Sequence, residues 1–296
     1  MSSRLKRKIK AVAQTLCKIV IGVALLHPLP LSARKWVVVR LGRRNFIGQS
    51  FLSFELLRDF ATGDPMGFHQ FLWAHHVGGQ AYGKTYEIAR RFGDENLRTS
   101  RRELFEFLRA HLMERGIAPE RDVQSVLDVG CSLGYVLHFL GTQVLPAATC
   151  LRGVDVDRYA IEAGKAYLRR LGSKIELVAG DIASLDSVLG EWKYDVVVCC
   201  GVLMYLDEGA AAGALKAMLA HTKGLLAVIS LADPQEDNAQ LARSYARAED
   251  LGFIHNVDEM IRKAGGYVVF RKWTGPEEAR RYTRNPPLFT LAHPGP

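Results

Sequence analysis

Residues 127–135 read LDVGCSLGY, and this stretch decides the fold of the chain. The apolar run SVLDVG at residues 125–130 leads into it, with Asp128 standing two residues before Gly130. Gly134 comes four residues after Gly130. Because glycine permits tight turns and a close approach of backbone to a bound molecule, the pattern predicts a buried strand, a loop at its carboxyl end and a helix that Gly134 opens.

From residue 125 onward, strand-like and helix-like segments alternate. We predict strands at 125–130, 151–156, 174–179, 194–200, 224–231 and 266–273, with helices at 134–142, 158–171, 208–221 and 256–264. Runs such as DVVVCC are typical of strands that are covered on both faces. We therefore expect an α/β fold with a doubly wound, mostly parallel sheet and helices on both faces. LFTLAH at 288–293 is expected to add an edge strand, which makes seven.

The polar residues of this region fall where strands end. In an open α/β sheet the ligand binds beyond the carboxyl ends of the strands. Asp155 ends the second strand and suits the two hydroxyls of a ribose. A dinucleotide site would carry G-x-G-x-x-G, but here the spacing is G-x-x-x-G and Asp128 would repel a pyrophosphate. The pattern otherwise fits any nucleoside cofactor. Asp128 disfavours a nicotinamide dehydrogenase, but it would not repel a cofactor with an amino group and a sulfonium.

Five motifs in order resemble those of the class I S-adenosylmethionine-dependent methyltransferases, over residues 122–273. They are LDVGCSLGY at 127–135, GVDVD at 153–157, GDIASLD at 180–186, YDVVVCCGVLMYL at 194–206 and FIHNVDEMIRKAGGYVV at 253–269. Ser132 stands where a glycine is commoner in that family. NPPL at 285–288 is similar to a motif of amino methyltransferases, but there it follows the fourth strand, so we assign it to a turn.

The resemblance implies S-adenosyl-L-methionine as cofactor and a set of residues that bind it. The set is Asp128, Gly130, Cys131, Ser132, Gly134, Asp155, Val156, Asp181, Ile182, Gly201 and Val202. Asp155 would hold the ribose and Asp181 the exocyclic amine, with Ile182 against the adenine ring. Gly201 and Val202 would lie beside the methionine part. As the alternative, Asp155 and Asp181 are helix N-caps, which is a frequent role for aspartate.

The resemblance carries no single catalytic residue, and a hydroxyl or phenol acceptor benefits from a base. His255, before the late helix, and Tyr205, after the fourth strand, are the candidates. His75 and His76 form a third pair, and for every histidine a hydrogen-bonded structural role is the alternative. Tyr82 and Tyr86 could close over the cofactor or pack in the core. No spacing of ligand residues indicates a metal site.

The positive charge of the chain is concentrated at its beginning. Eleven of the 39 Lys and Arg residues precede the first acid, Glu55, which leaves 28 basic against 31 acidic residues. Leu5 to Leu26 repeat at steps of three and four, which predicts an amphipathic helix that ends at His27–Pro30. Three interpretations stay open for this arm: a helix packed on the body, a helix on an anionic membrane surface, and a secretory signal.

We divide the chain into a basic arm (1–44), a helical substrate-capping segment (45–120) and a cofactor-binding methyltransferase domain (121–296). The expected function is methyl transfer to a small molecule, at oxygen, with a membrane-proximal lipid, quinone or lipid-linked sugar as the acceptor class. Protein or RNA methylation and a non-catalytic cofactor-binding module are the alternatives; the slightly acidic body argues against nucleic acid. Five cysteines without a CxxC indicate a reducing, cytoplasmic location, peripheral to the inner membrane face if the arm binds there.

Overall fold

The computed structural model describes residues 24–42, 49–77, 97–282 and 285–295. The chain divides into two compact units, Met1–Thr85 and Tyr86–Pro296. The helices of the first unit are α1 (Leu31–Gly42), α2 (Gln49–Leu56), α3 (Arg58–Gly63) and α4 (Pro65–Ala74). The division into arm, capping segment and methyltransferase domain stays a prediction.

The first unit is a small helical body. Its core contains the fully buried side chains of Leu56, Leu57, Phe68 and Leu72. Helix α4 begins where the side chain of Asp64 accepts a hydrogen bond from the backbone of Gly67, an N-cap that satisfies a free helix amide.

The predicted amphipathic helix of the arm lies mostly outside the described residues. Residues 24–26 are helical and the chain turns at 27–28, at the stop that the prolines predicted. Among the described residues, we find no helix that combines the length and the apolar character needed to cross a bilayer.

The second unit contains helix α5 and the sheet with its flanking helices. The helices are α5 (Thr99–Glu114), α6 (Tyr135–Phe139), α7 (Arg158–Arg170), α8 (Leu185–Leu189), α9 (Glu208–Ala220) and α10 (Val257–Lys263). The strands are β1 (Ser125–Val129), β2 (Cys150–Asp155), β3 (Glu176–Ala179), β4 (Tyr194–Cys200), β5 (Thr222–Leu231), β6 (Tyr245–Ala246), β7 (Phe253–Ile254), β8 (Tyr267–Trp273) and β9 (Pro287–His293). The predicted alternation of strands and helices is confirmed. Most boundaries shift by one or two residues, but the helix predicted to reach residue 142 ends at Phe139, where a π-helical turn, Leu140–Val144, follows.

The sheet has seven strands in the order β3-β2-β1-β4-β5-β9-β8. Strands β1 to β5 pair in parallel, and β9 is antiparallel to both of its neighbours. The expectation of an edge strand at 288–293 is wrong, since β9 lies between β5 and β8. The reason is visible in its composition: every residue of β9 is buried, as an interior strand requires.

Helix α5 packs against β5 and β9, and the ring of Phe107 meets that of Phe289 on β9 with their centres 5.3 Å apart. The buried residues of the helix are Leu104, Phe105, Leu108 and Leu112. The helix begins at Thr99, and no side chain caps it. The side chain of Glu103 instead meets Arg281, at 3.0 Å, and the hydroxyl of Tyr282. These contacts tie the first turns of α5 to the segment between β8 and β9.

Candidate cofactor-binding site

The predicted motif loops meet at one edge of the sheet, because β1, β2 and β4 are parallel neighbours in register. Val129 pairs with Val154, and Asp128 pairs with Val198. The amides of Gly130 and Cys131 both donate to the carbonyl of Val154, at 2.8 and 3.2 Å. The loop after β1 is thereby fastened to the end of β2.

Two glycines of this loop are required by their surroundings. Gly130 has φ +82°, and a Cβ placed there would lie 2.1 Å from Cγ2 of Val202. Gly134 has φ +78° and faces Leu177 at 3.0 Å. The loop after β1 therefore packs directly on the loop after β4, and side chains are excluded between them.

Ser132 lies between those glycines and shares their backbone conformation. Its φ is +51°, in the left-handed region that glycine tolerates far better than serine. Its Oγ is buried without a hydrogen-bond partner in the described part of the chain. The sequence resemblance marked this position as a departure from glycine, and the structure shows that the serine keeps the glycine-like backbone.

Asp128 is buried beneath the loop, with only 2% of its surface exposed. Its Oδ2 has no hydrogen-bond partner among the described residues. Burial raises the pKa of the Asp128 carboxyl to about 7, although the nearby Arg101 lowers it in part and Asp155 adds to the rise. A buried carboxylate without a partner is costly, so this group is suited to receive a cation.

Arg101, on the first turns of α5, is the positive counterpart of Asp128. Its Nη1 is buried and has no partner within the described ranges. Burial lowers the pKa of the Arg101 guanidinium, while the neighbouring Cys200 and Asp128 act against the change. The guanidinium also lies 5.2 Å from the ring centre of Tyr135, in cation-π contact.

Asp128 and Arg101 together offer one carboxylate oxygen and one guanidinium nitrogen that are buried and have no hydrogen-bond partner among the described residues. This arrangement complements a zwitterionic amino acid, whose ammonium suits Asp128 and whose carboxylate suits Arg101. The methionyl end of S-adenosyl-L-methionine has that character, so the residues present fit the cofactor. Sequence reasoning found Asp128 but missed Arg101, because an arginine near the start of a polar helix looks like a solvent-exposed residue.

Asp155 lies at the end of β2, as predicted, and its carboxylate is held in a fixed orientation. Oδ2 accepts from the backbone of Ser132 and Oδ1 from that of Asp157, both at 2.8 Å. Burial raises the pKa of the Asp155 carboxyl to about 6, and these two amides lower it in part. Asp157, not Asp155, caps helix α7. The carboxylate of Asp155 therefore remains a suitable partner for ribose hydroxyls, and that role stays a prediction.

The adenine end of the predicted site is more open. Asp181 is exposed and its Oδ1 caps the short helical turn after β3 by accepting from Ala183 at 3.0 Å, so the alternative cap role is present. Ile182 packs partly against the core, and Val156 remains 38% exposed. Gly201 has φ +76° and open space where a Cβ would stand. Their contacts with an adenosine stay predictions.

His255 does not have the geometry of a general base. The side chain is fully buried, Nδ1 meets the hydroxyl of Ser244 at 2.7 Å, and Nε2 meets the carbonyl of Leu203 at 3.0 Å. Burial lowers the pKa of the His255 imidazole. Because both nitrogens are engaged, the structure argues for the structural alternative and against the base that the sequence suggested.

Tyr205 lies after β4, near several arginines. Burial raises the pKa of its phenol well above the usual value, against the opposing influence of Arg98, Arg101 and Arg247. The phenol therefore stays protonated at neutral pH and is no proton acceptor in its resting state. Arg247 is itself paired with Asp250 at 2.5 Å.

The remaining histidine and tyrosine candidates lie elsewhere. His75 and His76 belong to the first unit, where Nδ1 of His75 meets the carbonyl of Phe71 at 2.9 Å. Tyr82 and Tyr86 lie outside the described residues. Cys131 and Cys199 are buried, and burial raises the pKa of both thiols, so their role is packing. Among the described residues no three His, Cys, Asp or Glu side chains group as metal ligands do.

The fold and these residues define an α/β domain that binds a nucleoside cofactor with an amino-acid end. Residues 126–224 match the family described as "Methyltransferase domain". Together with the sheet order, this match supports a methyltransferase domain at residues 126–224, with a fold like that of the class I S-adenosylmethionine-dependent methyltransferases. The matched domain supports a methyltransferase that uses S-adenosyl-L-methionine as its cofactor.

Solved structures of low sequence identity share this fold. A 1,6-didemethyltoxoflavin-N1-methyltransferase from Burkholderia thailandensis, with 1,6-didemethyltoxoflavin and S-adenosylhomocysteine bound, is 19% identical at a TM-score of 0.54, covering 76% of this chain and 88% of its own. An S-adenosylmethionine-dependent methyltransferase from Clostridium acetobutylicum is 14% identical at a TM-score of 0.50, covering 73% and 99%. No curated protein sequence matches the chain.

Proposed function

We propose that this enzyme transfers a methyl group to an oxygen atom of a small, membrane-proximal acceptor. The cofactor half of the proposal rests on two buried, oppositely charged side chains beside the loop after β1, Asp128 and Arg101, each with one polar atom that lacks a hydrogen-bond partner among the described residues. The cofactor supplies an electrophilic methyl group on a sulfonium. Asp128 would bind its ammonium, Arg101 its carboxylate and Asp155 its ribose, so that the methyl group is held in one orientation.

Such fixing of two reactants can supply much of the rate of a displacement. The chain offers little evidence for a base: His255 is engaged at both nitrogens, and Tyr205 holds its proton. An acceptor oxygen that is already ionised needs no base. We therefore favour a carboxylate or an acidic hydroxyl as the methylated group.

The charges near Tyr205 support an ionised acceptor. Arg98 and Arg101 both place positive potential at the phenol. Arg98 is exposed, and Arg101 is assigned to the cofactor. The guanidinium of Arg98 would then be the group that attracts an anionic oxygen toward this end of β4.

The membrane half of the proposal is supported by the basic arm, because eleven Lys and Arg residues precede the first acid. A lipid, an isoprenoid quinone precursor or a lipid-linked sugar would combine an apolar body with a polar group to methylate. A cytoplasmic enzyme that contacts the inner membrane face would meet such an acceptor.

Label transfer tests the proposal. The full-length protein is incubated with methyl-labelled S-adenosyl-L-methionine and a host membrane extract, and the lipid, aqueous and protein fractions are separated. We expect label in the lipid fraction, lost with Asp128→Asn and retained with Glu162→Gln, a surface carboxylate change on α7. Label in the protein or RNA fraction would replace the acceptor class, and cofactor binding without any transfer would indicate a non-catalytic module.

Alkaline treatment of the labelled product then identifies the oxygen. A methyl ester releases volatile labelled methanol, whereas a methyl ether keeps its label in the lipid. Methanol release supports an ester, and label that resists alkali supports an ether only if hydriodic acid then releases it as methyl iodide. Label that survives both treatments, as a methyl group on carbon would, contradicts oxygen as the target.

A further inference from the structure

The first unit exposes three apolar side chains that lie close together in the sequence, Leu25, Leu29 and Trp36; with the exposed Arg40 we name them the Trp36 surface. Leu25 is 73% exposed, Leu29 39% and Trp36 67%. Along α1, the exposed residues Ser32, Trp36 and Arg40 recur at steps of four, so they share one face of the helix. Single exposed apolar side chains are common on protein surfaces, but three within one short stretch require an explanation.

The outward position of Trp36 is fixed by what lies on the opposite face of α1. Arg34 and Val38 are buried there. Both terminal nitrogens of Arg34 donate to the carboxylate of Asp59 at 2.7 Å, and Nη1 also donates to the carbonyl of Leu56 at 2.6 Å. Rotating α1 to bury Trp36 would break these three hydrogen bonds and expose Arg34 and Val38.

The electrostatics around the Trp36 surface favour an anionic partner. Residues 1–54 contain eleven basic and no acidic residues. Of the acids that follow in the first unit, Glu55 pairs with Arg58 and Asp59 with Arg34. The ammonium of Lys35 lies 3.6 Å from the ring centre of Phe60, in cation-π contact.

We propose that the Trp36 surface binds the headgroup region of an anionic lipid bilayer. Tryptophan, with an apolar ring and one N–H donor, prefers that region, and basic residues beside it are attracted to anionic lipids. This inference rests on the membrane-proximal acceptor of the proposed function and assigns the membrane contact to a particular surface. Vesicle binding tests it without any methyl transfer. Three apolar side chains are too few for a stable protein interface, which buries about 800 Å² on each partner.

Vesicle binding of the full-length protein tests this inference. Vesicles of phosphatidylcholine alone and of phosphatidylcholine with an equal amount of phosphatidylglycerol are sedimented with wild-type protein, Trp36→Ala and Arg40→Ala. Trp192→Ala is the matched control, since Trp192 is 55% exposed in the second unit. We expect binding to the anionic vesicles only, reduced about tenfold or more by Trp36→Ala and about fivefold by Arg40→Ala.

A second measurement places the indole. Brominated lipid in the anionic vesicles should quench the fluorescence of the wild type and of Trp192→Phe, and should quench Trp36→Phe much less. The inference is overturned if the protein does not sediment, if neutral vesicles bind equally well, or if Trp36→Ala and Trp192→Ala behave alike. It is also overturned if Trp36→Ala abolishes a vesicle-independent dimer, because a second copy would then cover the surface.

Discussion

The backbone N–H of Ser132 donates a hydrogen bond to Oδ2 of Asp155, with the two atoms 2.8 Å apart. The loop after β1 thus orients the carboxylate at the end of β2 before any ligand arrives. Ser132 itself has a φ of +51°, so this contact is made within a loop that takes a left-handed turn at the donor residue.

Ser132→Gly should raise the free energy of unfolding by about 1 kcal/mol, because glycine removes the cost of the left-handed backbone. It also removes a buried hydroxyl that has no described partner. Denaturant unfolding measures the change. Gly134→Ala is the opposing control and should destabilise, since its φ is +78° and its Cβ would meet Leu177 at 3.0 Å. A loss of stability in Ser132→Gly would contradict this account.

Asp128 should make cofactor affinity depend on pH. Its pKa is raised to about 7, first by burial, and the ammonium of the cofactor requires the ionised carboxylate. Affinity should therefore rise with pH up to about 7 and level off above it. Calorimetric titration across this range, in buffers of different ionisation enthalpy, should detect a proton released on binding.

The matched variants at this charge pair are Asp128→Asn and Arg101→Gln. Each should weaken cofactor binding about tenfold to a hundredfold, the usual range for a lost charge-assisted hydrogen bond. Asp128→Asn should also flatten the pH profile, whereas Arg101→Gln should leave a profile of the same sign. An unchanged profile in Asp128→Asn would assign the titration to another group.

His255→Phe should reduce stability by about 1–3 kcal/mol, because it leaves the carbonyl of Leu203 without its donor. The pH-rate profile of methyl transfer by the folded fraction should not change. Asn256→Ala is the control, since it removes neighbouring hydrogen bonds to Ala239 and Leu241 with the same expectation. If His255→Phe instead loses one limb of the profile while its stability is intact, His255 is the base after all.

The burial of His111 should make the protein acid-sensitive. Nε2 of His111 lies 3.1 Å from Nε2 of His293, and burial, followed by the nearby His293, lowers the pKa of His111 below its usual 6.5. The unfolded chain takes up this proton more readily than the folded one, so stability should fall as pH drops below about 6.5. Glu114 opposes the shift and Arg115 adds to it.

Thermal unfolding between neutral and mildly acidic pH measures the effect of this pair. His111→Phe should flatten the dependence, and His27→Phe, at an exposed histidine of the first unit, should not. An equal acid loss in wild type and His111→Phe would show that other groups are responsible.

The strands were predictable because parallel, doubly covered strands are continuous apolar runs, and Tyr194–Cys200 was found at its stated limits. The position of β9 was not predictable, since an apolar run reveals that a strand is buried but not which strands flank it. Tertiary context decided the remaining site residues. The sequence does not reveal whether a histidine such as His255 or an arginine such as Arg101 faces solvent, a ligand or the core. Only the neighbouring residues in the folded chain distinguish these cases.

The place of β9 has a consequence for biosynthesis. Pro287–His293 follows every other strand of the sheet along the chain, yet it separates β5 from β8. A nascent polypeptide that has reached only residue 273 can form the five parallel strands, but its β8 has no partner. Ribosomes must elongate the chain past residue 293 before all seven strands can pair. Until then β5 is an unpaired, apolar edge that chaperones would shield.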